Sequence, residues 1–167
     1  MNPGIRNWGG VPLPGLQCSE YRIMKVKQIS VFLENRSGRL AEVTRVLGDN
    51  KLNIRALSLA DTSDFGVLRM IIDHPDQAYL VLKEQHYTVQ ETDVVTLEVA
   101  DQPGGLAGVL ETLYQNQINV EYLYAFPERD SVDKALLVFK FDDMDKAIDV
   151  MQKAGIKIME AERVYNI

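Results

Sequence analysis

The chain of 167 residues has a single cysteine, Cys18, and contains no long apolar run. One cysteine excludes a disulfide within the chain and fits a reducing cytoplasm. No stretch approaches the roughly 18 apolar residues that a membrane-spanning helix requires, so we expect no membrane partner. Basic residues are also in the minority, with 18 Lys and Arg against 24 Asp and Glu. An acidic chain gains little from releasing counterions from DNA or RNA, so we expect no nucleic-acid partner either.

The sequence also lacks the residue patterns of common catalytic sites. No Cys–His pair and no Ser–His–Asp set stands out as a candidate for nucleophilic catalysis. His74 lies between Asp73 and Asp76, which is a weak metal signal, because Pro75 and Asp76 are explained by the start of a helix. We therefore predict no catalytic residues, no metal and no cofactor. An enzyme with an acidic or metal-assisted site is the third alternative.

Residues 1–23 differ in composition from everything that follows. They contain clustered structure breakers at Asn2-Pro3-Gly4, Gly9-Gly10 and 12–15, with no hydrophobic periodicity behind them. The segment lacks the basic start and the apolar centre of a signal peptide. We interpret it as a disordered leader, or as the product of an upstream start codon that is not the one used, and place the start of the patterned region at Met24.

An internal repeat is the most informative feature that is present. Residues 35–54 match residues 101–120 at an offset of 66, and seven of the twenty pairs are identical. A supersecondary unit that occurs twice indicates two copies of one small fold. The glycine that repeats, Gly38 and Gly104, follows a strand pattern and precedes a helix pattern in both copies, where backbone can approach a small ligand. A binding module is therefore favoured over an enzyme.

Each copy predicts the order β-α-β-β-α-β. In the first copy, Ile29, Val31 and Leu33 alternate with other residues as in a strand, and in the second copy Leu106, Val109 and Leu113 have helical spacing. The fold class is therefore α+β, with two ferredoxin-like units, residues 24–93 and 94–167, packed as a pseudo-dimer. Ser37 is the expected N-cap of the first helix, and residues 156–164 are expected to form the last strand.

The segment from Val95 to Leu106, with Asn119-Val120 further on, resembles the ACT domain, a family of small regulatory modules that bind amino acids. The motif is Asp-x-Pro-Gly-x-Leu from Asp101 to Leu106, and the first copy, residues 35–40, is a looser match. The resemblance covers residues 24–167. It implies a tandem ACT protein with no catalytic domain, and a ligand site between modules, near this loop and the second strand of a neighbouring module.

The loop has the chemistry that a free amino acid requires. A helix N-terminus offers unpaired N–H groups and a partial positive charge to a carboxylate, and a glycine lets those groups come close. Asn35 or Asp101 could accept from the ammonium group. With the positions that the resemblance adds at the second strands, the candidate ligand-binding residues are Asn35, Arg36, Ser37, Gly38, Arg39, Leu40, Asn53, Ile54, Asp101, Gln102, Pro103, Gly104, Gly105, Leu106, Asn119 and Val120.

The sequence thus predicts a non-catalytic cytoplasmic amino-acid sensor. Its ligand would stabilise one relative packing of the two units, and that packing would differ in affinity for an unidentified regulated protein or for a second copy of the chain. A homodimer is expected, because unpaired sheet edges favour it and the family commonly forms one. The main alternative is a structural interaction module that binds no ligand. The aromatic residues Tyr122, Tyr124 and Phe126 on one strand are expected to be core or pocket walls.

Overall fold

A computed structural model describes residues 18–61, 64–127 and 133–167, which form two sequential units joined by a shared strand. Their helices and strands, in chain order, are α1 (Cys18–Met24), β1 (Lys25–Glu34), α2 (Arg39–Asp49), β2 (Ile54–Asp61), β3 (Phe65–Ile72), α3 (Pro75–Glu84), β4 (Thr88–Ala100), α4 (Gly105–Gln115), β5 (Val120–Pro127), β6 (Lys134–Phe141), α5 (Met144–Lys153), β7 (Lys157–Ile158) and α6 (Ala161–Tyr165). Unit 1 and unit 2 below mean residues 24–93 and 94–167. The predicted α+β class with two ferredoxin-like units is confirmed.

The two units share one antiparallel sheet. Its strand order is β2-β3-β1-β4-β6-β5, and β7 pairs with β4. Strand β4 is continuous across the boundary between residues 93 and 94, so its first half closes unit 1 and its second half opens unit 2. Two sheets placed side by side were the expectation. A single sheet forms because no Gly, Pro or Asn interrupts Val89 to Val99, and β4 continues across the boundary.

The long helices α2, α3, α4 and α5 cover the same face of this sheet. In β4, Val89 packs in the core beneath α2 and α3, whereas Leu97 and Val99 pack in the core beneath α4 and α5. Because alternate residues of a strand point to the same face, both helical layers lie on one side. The apolar alternation expected for Ile29, Val31 and Leu33 is confirmed, since all three are buried in the core of unit 1.

A third core lies on the opposite face and joins the two units. It contains Ile71 of unit 1 and Tyr124, Phe126 and Val138 of unit 2. The sheet curls around this core, so that its two edge strands, β2 and β5, come close to each other. The aromatic residues of β5 are therefore core, as expected.

A buried polar junction crosses the third core. Gln28, which is fully buried, donates from Nε2 to the Tyr122 hydroxyl at 2.8 Å and accepts from the Tyr124 hydroxyl at 3.0 Å. Its Nε2 also lies 3.1 Å from the Ser30 hydroxyl. Because buried polar groups are costly unless paired, this junction specifies how unit 1 faces unit 2.

The prediction of a last strand at residues 156–164 is wrong for most of that range. Only Lys157 and Ile158 form a strand, and Ala161–Tyr165 form the short helix α6. The reason lies in β1, whose first residues, Lys25 and Val26, pair with Val95 and Val94 and occupy the edge of β4 that residues beyond Met159 would use. The chain then turns away, and α6 packs back onto unit 1, where Val164 joins the third core.

Two further expectations are corrected near the start of the chain. Helix α1 begins at Cys18, inside the segment expected to be a disordered leader, and its Tyr21 and Met24 pack against the core of unit 2. The rest of that segment, residues 1–17, lies outside the described residues. Ser37 is not the N-cap of α2, because Gly38 occupies that position in a left-handed conformation, with φ of 92°.

Candidate functional site

The repeated loops have the same backbone geometry in both units. Gly38 precedes α2 with φ of 92° and Gly104 precedes α4 with φ of 89°, a region that residues with a Cβ rarely adopt. In both loops the residue that follows the strand is tied to the end of the neighbouring hairpin: the Asn35 N–H donates to the Asp64 carbonyl at 2.9 Å, and the Asp101 N–H to the Asp133 carbonyl at 2.8 Å. The repeat in sequence is thus a repeat in structure.

Among the described residues, no side chain caps the helix that follows either loop. At α5, by contrast, the Asp143 side chain accepts from the Lys146 N–H at 3.0 Å. An N-terminus without a side-chain cap keeps N–H groups available to another acceptor and retains its partial positive charge. A Cβ added at Gly38 or at Gly104 would meet nothing within 4 Å, so both N-termini are open to a ligand.

A small cavity of about 70 Å³ opens beside the loop of unit 1. Four of the six candidate residues of this loop line it: Asn35, Arg36, Arg39 and Leu40. Sequence reasoning missed the other lining residues, which come from the strands around the loop: Leu33, Glu34, Leu59 and Gly66. The alternation of Leu57 with Leu59 is the sequence signal that could have identified Leu59. The structure shows that their strand, β2, is an edge of the sheet and that both side chains are exposed.

Two arginines line this cavity, and Arg39 is better suited than Arg36 to bind a carboxylate. Its guanidinium pairs with Glu42 at 2.7 Å and stacks 5.5 Å from the centre of the Tyr87 ring, which holds the side chain in place. Its Nε is buried and has no hydrogen-bond partner among the described residues. Arg36, in contrast, is exposed and pairs with Glu34 at 3.4 Å. Arg39 is therefore the better ordered of the two arginines, and its buried Nε is a donor whose missing acceptor costs stability.

The loop of unit 2 contains a second glycine, Gly105, where the loop of unit 1 has a residue with a side chain. A Cβ on Gly105 would lie 2.2 Å from the carbonyl oxygen of Ala100, so no other residue fits there. The equivalent position in unit 1 is Arg39, which carries a long side chain. The two loops therefore share Gly38 and Gly104 but differ at the next residue, which in unit 1 faces the cavity.

The candidate residues at the second strands lie far from the loop of their own unit. Leu33 pairs with Gly66 and Ile54 pairs with Ile72, six residues further along β3, which corresponds to about 20 Å. Val120 is likewise at the opposite end of unit 2 from residues 101–106, since it pairs with Phe141 whereas Ala100 pairs with Lys134. A loop and a second strand could meet in one site only across two different modules.

The repeated asparagines have a structural role of their own. The Asn53 N–H donates to Asp73 Oδ1 at 3.1 Å, and the Asp73 N–H donates back to the Asn53 carbonyl at 3.1 Å. Asn119 and Asp142 form the same pair of contacts, both at 3.2 Å. These bonds use the asparagine backbone and tie the start of one strand to the end of its neighbour.

Asp73, His74 and Asp76, the residues behind the weak metal signal, make structural contacts. Burial tends to raise the pKa of Asp73, but the Asn53 N–H and the adjacent His74 hold the pKa of this carboxyl below its ordinary value. His74 Nδ1 lies 3.2 Å from Asp73, and Asp76 forms an ion pair with Lys27. Among the described residues, no group of three or more His, Cys, Asp and Glu side chains is arranged to hold a metal ion.

The family model described as "ACT domain pair" matches residues 24–167. The chain belongs to this family. ACT domain pairs are a regulatory, amino-acid-binding type of module, and the match spans both units described above.

Solved structures agree with the fold of this ACT domain pair. A protein of Bacteroides thetaiotaomicron, BT0572, is 41% identical with a TM-score of 0.81, and the match covers 86% of this chain and 98% of that one. The regulatory subunit of aspartate kinase from Thermus thermophilus has a TM-score of 0.57 at 11% identity, over 78% and 93% of the two chains, which shows the shared fold. No curated protein matches the chain. In the part of the chain that the structure describes, no helix is long and apolar enough to cross a membrane.

Proposed function

We infer that this ACT domain pair is a non-enzymatic cytoplasmic sensor that binds a free amino acid at the loop of unit 1. The observation that carries the inference is the cavity beside the unit 1 loop, which the Arg39 side chain lines and which lies next to a helix N-terminus without a side-chain cap. Both groups favour a carboxylate. The Asn35 side chain and the carbonyl groups of the loop would accept from the ammonium group.

The cavity is too small to enclose a whole ligand by itself. Sites for drug-sized molecules have volumes of about 300–1,000 Å³, and this cavity has about 70 Å³. Around it lie exposed apolar side chains of unit 1: Leu40, Leu57, Leu59 and Phe65. We infer that a second copy of the chain covers this surface, encloses the ligand side chain and completes a homodimer. The edge of β2 suits such a contact, because an unpaired edge can accept another strand.

Ligand binding would act by linkage. A ligand held between two copies stabilises the assembly to which it binds more tightly, and that assembly would differ in affinity for a regulated protein. The second-strand residues Asn53, Ile54, Asn119 and Val120 stay predicted contacts across such an assembly. The loop of unit 2, Asp101 to Leu106, is the alternative location of the site.

A thermal-shift screen of the full chain against the twenty amino acids tests the inference. A ligand at 100 times its Kd adds about 2.7 kcal/mol to the free energy of unfolding, which corresponds to a rise in Tm of about 5–10 °C for a chain of this size. We expect one or two amino acids to produce this shift. A flat screen on folded, ligand-free protein would contradict the sensor and favour the structural interaction module.

Two matched variants test whether the amino acid binds at the loop of unit 1 or at the loop of unit 2. Leu40→Ala removes an exposed side chain that lines the cavity, and Leu106→Ala makes the same change at the equivalent position of unit 2. Leu40→Ala is expected to weaken binding of the amino acid found in the screen by about tenfold, which is 1.4 kcal/mol, whereas Leu106→Ala should leave the affinity close to wild type. The opposite ranking would move the site to unit 2.

A further inference from the structure

A second cavity lies between the units, on the face of the sheet that carries no long helix. It has a volume of about 230 Å³ and we call it the inter-unit cleft. Ser30 and Arg69 line it from unit 1, and Glu121, Tyr122 and Lys140 line it from unit 2. The cleft and the cavity at the unit 1 loop have no lining residue in common, so the two sites are separate.

Two cations in the cleft have no carboxylate partner. Arg69 and Lys140 are both half-buried, and neither forms an ion pair with any of the described residues. Because like charges that share one cavity repel each other, the charge on Arg69 makes it less favourable to keep Lys140 charged in the same cleft, and the reverse also holds. The other half-buried basic residues that the structure describes are paired, for example Arg55, which donates to backbone oxygens of Tyr165 and Ile167.

Arg69 is nevertheless held in a defined position. Its guanidinium carbon lies 4.2 Å from the centre of the Tyr122 ring, so the guanidinium stacks on a residue of the other unit. Tyr122 is in turn fixed by Gln28, and its neighbour across the strand pair is Lys140. Both cations therefore flank one ring that is anchored in the buried polar junction. Stacking leaves the N–H edge of a guanidinium free to bind a carboxylate in bidentate fashion.

The walls of the cleft distinguish between kinds of anion. They are made of strands, whose N–H groups pair with neighbouring strands, and the residues that line them include no helix N-terminus or glycine-rich loop of the kind that binds phosphate. Charged side chains are thus the available binding groups. Two cations, one from each unit, suit a ligand with two carboxylates, and the exposed Glu121 disfavours additional negative charge.

We propose that the inter-unit cleft binds a short dicarboxylate, with one carboxylate on Arg69 and the other on Lys140. Its volume lies below the roughly 300–1,000 Å³ of sites for drug-sized ligands, which fits a metabolite of a few carbon atoms. Since the two cations belong to different units, the bound ligand would tie the units together. The proposal is independent of the amino-acid site at the unit 1 loop.

Calorimetric titration of the full chain with malonate, succinate and glutarate tests the proposal. At least one of the three is expected to bind wild type, and Arg69→Gln and Lys140→Gln should each weaken that binding by about tenfold or more. Glu121→Gln should strengthen it several-fold, because it removes a like charge from the lining of the cleft. Arg45→Gln, at an exposed arginine of α2 outside the cleft, is the control and should leave the affinity unchanged.

Three results would overturn the proposal. One is the absence of binding by all three dicarboxylates at millimolar concentrations. Another is binding that both Arg69→Gln and Lys140→Gln leave unchanged, with circular dichroism showing that the variants are folded. The third is binding of phosphate in the cleft without binding of any dicarboxylate. If Arg69→Gln fails to fold, Lys140→Gln decides the outcome, because the Lys140 side chain makes no hydrogen bond or ion pair with the described residues.

Discussion

Unit 1 and unit 2 have the same fold and the same loop but use their second strands differently. Strand β2 of unit 1 leaves Leu57 and Leu59 about half exposed, beside the cavity at Gly38. Strand β5 of unit 2 buries Tyr124 and Phe126 in the core that joins the units. In this duplicated fold, one copy keeps an open surface suited to a ligand or a second chain, whereas the other copy provides the contact between the units.

The residue after the loop glycine gives the strongest way to test this difference. Gly105→Ala would place a Cβ 2.2 Å from the Ala100 carbonyl oxygen, so the backbone of unit 2 must shift. We expect a loss of about 3 kcal/mol in the free energy of unfolding, measured by urea denaturation. Arg39→Ala, at the equivalent position of unit 1, keeps a Cβ that the backbone already accommodates and should cost less than half as much. Equal costs would show that the two loops do not differ in this way.

The buried junction between the units gives the next largest effect. Gln28→Leu leaves the hydroxyl group of Tyr124 buried without an acceptor, and we expect it to cost about 2 kcal/mol. Adding Tyr124→Phe removes the orphaned hydroxyl, so the double variant should recover part of that loss in urea denaturation. If the two changes are additive, the junction does not couple the units.

The two loop glycines should respond alike in stability and differently in binding. Gly38→Ala and Gly104→Ala each force a residue with a Cβ into a left-handed conformation, at a cost of about 1–2 kcal/mol, although neither Cβ meets a neighbour. Thermal denaturation should therefore show similar losses for both. Only Gly38→Ala should also abolish amino-acid binding, because only Gly38 belongs to the loop that carries the proposed site. Loss of binding in both variants would indicate two sites.

The smallest effect concerns Glu98, for which unit 1 has Phe32 at the equivalent position. Lys134 at 2.6 Å and Lys157 at 2.8 Å hold the pKa of the Glu98 carboxyl below its ordinary value of 4.5. A carboxyl with a lowered folded-state pKa stabilises the fold above its unfolded-state pKa, and this stabilisation disappears as the pH falls through the folded-state pKa. Glu98→Gln should thus cost about 1 kcal/mol at neutral pH, since both lysines are about half exposed, and almost nothing once the pH lies below the folded-state pKa. An equal cost under both conditions would contradict the assignment.

The pattern of the sequence predicted the repeated elements well, because local signals determine them. The apolar alternation of β1 and the helical spacing of Leu106, Val109 and Leu113 in α4 both follow from a few adjacent residues. The resemblance to ACT domains also depends on a local motif. Neither needs knowledge of how the two units pack.

What could not be predicted depends on contacts between distant segments. Strand β7 is short because Lys25 and Val26 occupy the edge of β4 that a longer strand would use. The exposure of Leu59 depends on β2 being an edge of the shared sheet, and the cleft at Arg69 depends on how the sheet curls. Strand order and curvature are properties of the whole chain, and periodicity does not encode them.

The most direct test of the account is the stoichiometry of amino-acid binding to the full chain, measured by isothermal titration calorimetry with the amino acid identified by thermal shift. The account predicts one molecule per chain, and loss of that binding in Gly38→Ala but not in Gly104→Ala. Two molecules per chain, or loss of binding only in Gly104→Ala, would contradict the claim that unit 1 carries the ligand and unit 2 carries the contact between the units.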